Sequence, residues 1–273
     1  MGLHISSYTE IDGGKIYVEA AGEGEAVVLC HAGFVDSGMW DGQWDVLAQH
    51  YNVVRYDMRG YGKSDSVTAP LARREELYQL LKQQGIERAH LIGCSLGGET
   101  IIDFALEHPE MVASLVVVNG TPSGFQMQGE LPPELLAMFE AMQQGNTAQV
   151  SDLQIRLWID GPYRQPDQVD PAVRQRAFAM NRIPVERGTW AAEPEPVNPL
   201  NPPAVERLDA VRAPTLIVYG TLDHSENVRA AEFMARGIPG ATLAAIEGAA
   251  HVPGMERPDE FNRVVLAFLQ SIG

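Results

Sequence analysis

The chain is poor in cysteine and in positive charge, and it has no long apolar run. Its two cysteines, Cys30 and Cys94, are too few for a disulfide framework, so we expect both to be reduced thiols. No apolar stretch approaches membrane-spanning length, and the N-terminus lacks a basic segment followed by an apolar core. These absences predict a cytoplasmic protein with no membrane contact.

The charge balance is strongly acidic. Lysine and arginine number 20 against 36 aspartate and glutamate residues, and the formal net charge is −16. Such a chain is a poor partner for nucleic acid and for anionic membranes, and it mildly disfavours strongly anionic substrates. We therefore expect a small-molecule substrate and no nucleic-acid or membrane partner. The sequence is equally compatible with a monomer and a homodimer.

Strand-like apolar runs alternate with amphipathic helical patterns along most of the 273 residues. A hairpin is predicted around Asp12-Gly13-Gly14. Further strands are predicted at 26–30, 52–57, 89–94, 114–119, 214–220 and 241–247, and helices near 40–50, 71–84, 98–108, 226–236 and 256–271. This order predicts an α/β fold with a mostly parallel eight-stranded sheet, helices on both faces and the hairpin as an antiparallel edge.

The alternation stops after Thr121-Pro122. Helices are predicted at 132–144, 147–160 and 171–190, and a proline-rich return follows from Glu193 to Pro203. We therefore predict a core of residues 1–121 and 206–273, with a helical cap of residues 122–205 inserted after strand 6. Such a cap can cover a site, exclude water and shape a pocket.

The motif Gly93-Cys94-Ser95-Leu96-Gly97 lies between a predicted buried strand and an amphipathic helix. A serine in a Gly-x-Ser-x-Gly turn between strand and helix is typical of a nucleophile elbow, in which the glycines leave room for the sharp turn. The motif predicts Ser95 as a nucleophile and aims the Leu96 amide at a developing oxyanion.

A serine nucleophile needs a base and an acid that orients the base, in the chain order Ser, Asp or Glu, His. His251 follows a predicted strand and is the candidate base, whereas His108 ends a helix and His224 is predicted to be a solvent-exposed loop residue. Asp223 follows the strand that ends at Gly220 and is the candidate acid. Weaker candidates for the acid are Asp209, Glu226 and Glu247.

The loop after the strand 26–30 is predicted to supply the other half of an oxyanion hole. We expect the amide of Gly33 to act with that of Leu96, with Phe34 as the alternative to Gly33. His31 lies in the same loop, and we expect it to brace the loop by hydrogen bonding rather than to act as a base.

These motifs occur in the order seen in one known family. The chain resembles the α/β-hydrolase superfamily, and within it the capped branch of carboxylesterases, 3-oxoadipate enol-lactonases and C–C hydrolases. The resemblance covers about two thirds of the chain and rests on the segments 27–34, 39–40, 56–64, 93–98, 220–223, 248–253 and 256–258. Two positions depart from it: Ala32 follows His31 where glycine is usual, and Cys94 precedes Ser95 where histidine is common.

The motifs and the resemblance together predict a serine hydrolase that cleaves carboxylic esters of small to medium chain length. Ser95, His251 and Asp223 form the predicted triad, and no metal or organic cofactor is expected. The predicted substrate pocket contains Phe34, Phe125, Met127, Trp158 and Val252. Lactone hydrolysis and C–C bond hydrolysis use the same triad and remain alternatives, and a slow ligand-binding receptor is a further one.

Overall fold

The computed structural model describes residues 4–192 and 197–272. Eight strands form one sheet in the order β1-β2-β4-β3-β5-β6-β7-β8. The strands are β1 (Ile5–Ile11), β2 (Gly14–Ala21), β3 (Ala26–Cys30), β4 (Asn52–Tyr56), β5 (Ala89–Cys94), β6 (Val112–Val118), β7 (Thr215–Gly220) and β8 (Thr242–Ile246). In the sheet order β4-β3-β5-β6-β7-β8, each strand pairs in parallel with the next. The strands β1 and β2 form an antiparallel hairpin, and β2 also pairs antiparallel with β4. The predicted fold class is confirmed.

The described residues form ten α-helices, which lie between the strands in the chain or after the last strand. They are α1 (Asp41–Leu47), α2 (Arg73–Gln83), α3 (Leu96–Glu107), α4 (Pro133–Gln143), α5 (Thr147–Ile155), α6 (Pro171–Glu186), α7 (Thr189–Ala192), α8 (Ser225–Gly237), α9 (Pro253–Glu256) and α10 (Pro258–Ser271). Within the described residues, no helix has both the length and the apolarity to cross a bilayer.

Apolar side chains from both faces of the sheet build two cores, because successive residues of a strand point to opposite sides. Leu91 belongs to the core that α2, α3 and α8 cover, and its neighbour Ile92 belongs to the core that α1 and α10 cover. Both side chains are fully buried. The burial of both faces explains why the central strands consist of continuous apolar runs.

Helices α4 to α7 lie between β6 and β7 in the chain, where the sequence predicts the cap. The single helix predicted at 171–190 is wrong in one respect: α6 ends at Glu186 and α7 begins at Thr189. Gly188 lies between them with a φ of 63°, a left-handed conformation that ends an α-helix. The helix predicted at 147–160 likewise ends at Ile155 and continues as a π-helical turn over Arg156–Asp160. Residues 193–196 of the predicted proline-rich return lie outside the described residues.

Candidate active site

Ser95 lies in a sharp turn between β5 and α3. Its φ of 54° and ψ of −114° are unfavourable for a residue with a side chain, at a cost of about 1–3 kcal/mol. The turn is tight because a Cβ on Gly93 would lie 2.2 Å from the Gly97 carbonyl oxygen, and a Cβ on Gly97 would lie 2.3 Å from the Cys30 oxygen. The Ser95 amide donates to Val118 O at 2.9 Å, which ties the turn to β6.

Asp223 and His251 follow the carboxyl ends of β7 and β8, at the same edge of the sheet as Ser95. His251 Nδ1 lies 2.7 Å from Asp223 Oδ2, and both side chains are buried. The close approach of the two loops requires Gly220, because a Cβ there would lie 2.1 Å from the Ala250 carbonyl oxygen. The structure therefore pairs the predicted base with the predicted acid.

The other ring nitrogen of His251 is free. Nε2 is buried and has no hydrogen-bond partner among the described residues. Ser95 and His251 line the same cavity, but a bond between Ser95 Oγ and His251 Nε2 is not formed in this geometry. Such contacts are often long in ligand-free enzymes and tighten when substrate binds.

Asn227, which the sequence analysis missed, contacts both partners of this pair. Its Nδ2 lies 3.0 Å from each carboxylate oxygen of Asp223 and 3.2 Å from His251 Nδ1. It lies one helical turn after Asp223, in the first turn of α8. A buried polar residue at this i+4 spacing from the acid is the signal that the sequence offered.

Gly33 and Leu96 lie side by side, since a Cβ on Gly33 would come within 3.1 Å of Leu96 Cδ2. Two hydrogen bonds hold the Gly33 carbonyl oxygen, from Tyr61 Oη at 3.0 Å and from Trp190 Nε1 at 2.5 Å. The Phe34 N–H belongs to the same peptide unit as the Gly33 carbonyl. It points in the opposite direction to that carbonyl, because the N–H and C=O of a trans peptide are antiparallel. Gly33, Phe34 and Leu96 all line a cavity of about 260 Å³ next to Ser95.

His31 braces this loop. Met58 N–H donates to His31 Nε2 at 2.9 Å, and His31 Nδ1 lies 2.9 Å from the Ala32 carbonyl oxygen. Burial lowers the pKa of His31 to about 4, although the nearby Asp57 carboxylate opposes this shift. A neutral ring donates through Nδ1 and accepts through Nε2, which matches both contacts. The bracing role predicted for His31 is confirmed.

A larger cavity of about 410 Å³ extends from Ser95 towards the helices between β6 and β7. Trp158 and Trp190 line both cavities, and Met127 lines the larger one. Trp158 also packs on Phe34, with ring centroids 5.0 Å apart. Three acids, Glu99, Glu130 and Glu226, line the larger cavity.

Two pocket predictions are wrong, and one prediction about a histidine is also wrong. Phe125 packs on Phe233 and beneath the Arg229 guanidinium, and Val252 is buried in the core; neither is among the described residues that line the two cavities. His224 is half-buried and lines the larger cavity, with Nε2 3.2 Å from the Leu157 carbonyl oxygen. The sequence predicted an exposed His224 because its position after Asp223 does not show that the segment containing Leu157 packs against it.

Arg164 connects the chain between β6 and β7 to the loop that carries His251. Its Nη1 lies 2.7 Å from Glu256 Oε2, and Glu256 Oε1 accepts from the Ala250 amide at 2.8 Å. Arg164 Nε also donates to the Asp160 carbonyl oxygen at 2.9 Å. Burial raises the pKa of Glu256, and the Arg164 guanidinium opposes this shift. In the described chain, no cluster of three or more His, Cys, Asp or Glu side chains is arranged to hold a metal ion.

Comparison with known proteins identifies the family to which this chain belongs. Residues 25–258 match the family model for the alpha/beta hydrolase fold. The chain belongs to the α/β-hydrolase fold family, and it is a hydrolase.

Curated relatives match along almost the whole chain. A 2-hydroxy-6-oxo-6-phenylhexa-2,4-dienoate hydrolase from Comamonas testosteroni is 27% identical over 93% of this chain and 91% of its own length. A 2-hydroxy-6-oxononadienedioate/2-hydroxy-6-oxononatrienedioate hydrolase from Escherichia coli strain K12 is 29% identical over the same shares. Among solved structures, an enzyme described as degrading N-acyl homoserine lactones is 27% identical, with a TM-score of 0.79 over 96% of this chain and 100% of its own.

Proposed function

We propose that this chain is a serine hydrolase that cleaves uncharged carboxylic esters of small to medium chain length. In this proposal Ser95 is the nucleophile, His251 the general base and Asp223 the group that orients His251. The amides of Gly33 and Leu96 stabilise the oxyanion, with that of Phe34 as the alternative to Gly33.

The observation that carries the proposal is the buried Asp223–His251 pair: His251 lines the same cavity as Ser95, and its Nε2 atom has no hydrogen-bond partner among the described residues. The carboxylate fixes the ring tautomer with the proton on Nδ1, which leaves Nε2 as a proton acceptor. Ser95 stands at the N-terminus of α3, where the unpaired amides and the helix dipole favour negative charge. The site thus has a nucleophile, a base and an electrostatic environment suited to acyl transfer.

The reaction follows from these positions in two halves. His251 Nε2 takes the proton of Ser95 as Oγ attacks the ester carbonyl, and the tetrahedral oxyanion forms beside the proposed amides. The histidine then gives that proton to the leaving alcohol as the C–O bond breaks. In the second half His251 takes a proton from a water molecule as it attacks the acyl-enzyme carbonyl. The histidine then gives this proton to Ser95 Oγ as the acyl C–O bond breaks and the acid is released.

The charge of the cavity lining favours an uncharged substrate. No lysine or arginine lines either cavity in the described parts of the chain, and the remaining residues, 1–3, 193–196 and 273, contain neither. Glu99 lines the larger cavity, and burial, with a smaller contribution from Asp103, raises its pKa to about 7. A substrate carboxylate would lose its hydration there and gain no cation, which costs free energy.

Two other reactions remain candidates. Lactone hydrolysis breaks the same bond in a cyclic ester, and the structural relative that degrades N-acyl homoserine lactones supports it. C–C hydrolysis is supported by the curated relatives, whose names describe dienoate and dienedioate substrates. Those substrates carry carboxylates, so the cavity lining favours esters and lactones over them.

A panel of substrates tests the proposal. We expect fast hydrolysis of p-nitrophenyl esters within the series from acetate to decanoate, and slower hydrolysis of an ester with a terminal carboxylate. An uncharged γ-lactone and a 2-hydroxy-6-oxo-dienoate complete the panel. Turnover of the dienoate at a higher kcat/KM than every ester would overturn the ester assignment in favour of C–C hydrolysis. Labelling of Ser95 by a fluorophosphonate without turnover of the panel would instead indicate a receptor.

The helical segment of residues 122–205 is proposed to act as a cap. Trp158 and Trp190 from this segment line the cavities beside Ser95, and Trp190 also holds the Gly33 carbonyl. In this proposal the cap selects substrates and excludes water from the acyl-enzyme.

A further inference from the structure

Asn119 occupies a special position at the end of β6. It immediately follows Val118, the last residue of that strand, and its side chain is buried with 2% exposed. Its φ of 44° lies in the left-handed region, which asparagine adopts more readily than most residues. Its amide donates to the Val218 carbonyl oxygen at 2.9 Å, which fixes the backbone between β6 and β7.

The side chain of Asn119 reaches three backbone groups on two other loops. Nδ2 donates to the carbonyl oxygens of His251 at 2.9 Å and Ala250 at 3.1 Å. Oδ1 accepts from the Gly220 amide at 3.3 Å, at the end of the strand that precedes Asp223. One side chain therefore bonds two carbonyl oxygens of the His251 loop and one amide at the end of β7.

These contacts connect the three parts of the proposed triad. The Ser95 amide is bonded to Val118, the neighbour of Asn119. Gly220 leads into the loop of Asp223, and Ala250 leads directly into His251. Asn119 also lines the larger cavity, so it lies beside the reaction space.

We propose that Asn119 is a positioning residue that sets the place of His251 relative to Ser95 and Asp223. This inference rests on the proposed function. The only other hydrogen bond to the His251 carbonyl in the described chain comes from the Cys94 thiol at 3.5 Å, a weak donor. The backbone position of the histidine therefore depends chiefly on the Asn119 amide group.

Two substitutions at this position separate positioning from folding. Asn119→Gly removes all three side-chain bonds and suits the left-handed backbone. Asn119→Asp keeps the volume and the acceptor for Gly220, but it replaces the donor with a carboxylate oxygen that repels two carbonyls. Asn198→Gly is the matched control, because Asn198 has a φ of 55° and an exposed side chain.

The readouts are kcat and KM for a p-nitrophenyl ester, the rate of fluorophosphonate labelling of Ser95, and circular dichroism at the assay temperature. We expect both Asn119 variants to stay folded and to lose about 100-fold in kcat and in labelling rate, with KM changed by less than about threefold. A displaced base slows both reactions with Ser95, whereas all the other side chains that line the substrate cavity are unchanged. Asn198→Gly should match the wild type.

Three outcomes decide the matter. A wild-type kcat retained by both folded Asn119 variants would overturn the positioning role and leave the ester assignment intact. Loss of folded protein in both would also overturn it, because Asn119 would then be needed for stability. An inactive wild type that also fails to react with fluorophosphonate would reject the proposed function itself and, with it, this inference.

Discussion

The core and the helices between β6 and β7 build the site in different ways. Ser95, Asp223 and His251 stand on loops that parallel strands bring to one edge of the sheet, and their neighbours are buried and hydrogen-bonded. The lining of the larger cavity also includes side chains from the segment between β6 and β7, among them Met127, 55% exposed, and Phe139, 42% exposed. In the proposed function, the backbone at the strand ends therefore positions the reacting groups, whereas part of the substrate pocket is formed by exposed apolar side chains.

This contrast teaches where variation is tolerated. A shift in the core would separate the proposed base His251 from the proposed acid Asp223, whose Nδ1 and Oδ2 atoms are 2.7 Å apart. A change in the exposed apolar lining would alter shape but leave the hydrogen bonds of the core in place. The four predictions below test this division, in order of expected effect.

The largest effect is expected from Ser95→Ala in the core. Without the hydroxyl no acyl-enzyme forms, so kcat for a p-nitrophenyl ester should fall by at least about 10⁴-fold. Ser225→Ala is the control, since Ser225 lines the same cavity but is exposed. Equal turnover by Ser95→Ala and wild type would show that the hydrolysis occurs elsewhere.

Trp158→Ala should change selectivity rather than chemistry. The indole lies between Phe34 and Trp190, with centroids 5.0 and 5.1 Å away, so its removal enlarges both cavities. We expect the ratio of kcat/KM for decanoate over acetate esters to rise about tenfold. Tyr163→Ala, which removes a 62% exposed ring from the same segment, should leave the ratio unchanged. An unaltered ratio in Trp158→Ala would mean that the core sets chain length.

Glu99→Gln tests the charge of the cavity. The pKa of about 7 means that Glu99 is charged above that pH and neutral below it. We expect the variant at about pH 8 to improve kcat/KM for a carboxylate ester over its neutral analogue about fivefold, and at about pH 5.5 to match the wild type. Glu130→Gln, at an exposed position in the same cavity, should have a smaller effect. The same gain at both pH values would exclude Glu99 ionisation as the cause.

Asp36→Asn should affect stability alone. Burial, followed by the Asp57 carboxylate, raises the pKa of Asp36 from 3.8 to about 6, so the folded state binds its proton more tightly than the unfolded state. The contribution of Asp36 to wild-type stability should therefore fall as pH rises from about 4 to 6 and stay lower above that range. Asparagine can still accept from the Gly38 amide, which Asp36 Oδ1 does at 2.9 Å.

The measurement is urea unfolding of both proteins at two pH values. Asp36→Asn should be more stable by about 1 kcal/mol at pH 7.5 and equal at pH 4, with the partial exposure of Asp36 limiting the gain. Asp45→Asn, at a carboxylate with 83% exposed side chain, is the control. A destabilised Asp36→Asn at pH 7.5 would show that the carboxylate contributes more to the loop than its burial costs.

The sequence predicted the sheet and brought Asp223 and His251 together because each follows a strand whose apolar run is continuous. Ser95 was predicted as the nucleophile from a local motif. The positions of Gly93 and Gly97 in this motif have no space for a side chain, so only glycine fits there. These signals are short in range or set by strand periodicity, so a single sequence contains them.

The lining of the cavity could not be predicted in the same way. Phe125 and Met127 are two residues apart in one loop, yet Phe125 packs against Phe233 and Met127 lines the cavity. That difference depends on how the helices between β6 and β7 pack, which spacing does not encode. Asn119 was missed for a related reason, because its partners Gly220, Ala250 and His251 are more than 100 residues away in sequence. Asn227 lies only four residues after Asp223, but spacing alone did not show that its side chain is buried against Asp223 and His251.

The ion pair between Arg164 and Glu256 restricts which segments of related proteins can replace residues 122–205 in a chimera. A chimera in which residues 122–205 come from another family member would lose Arg164 and leave Glu256 buried without its cation. Removing one partner of a buried ion pair costs about 3–5 kcal/mol, and here the loss would fall on the carboxylate that holds the Ala250 amide, next to His251. The segment proposed to act as a cap is therefore not an independent module: a grafted segment would have to carry an arginine at the position of Arg164.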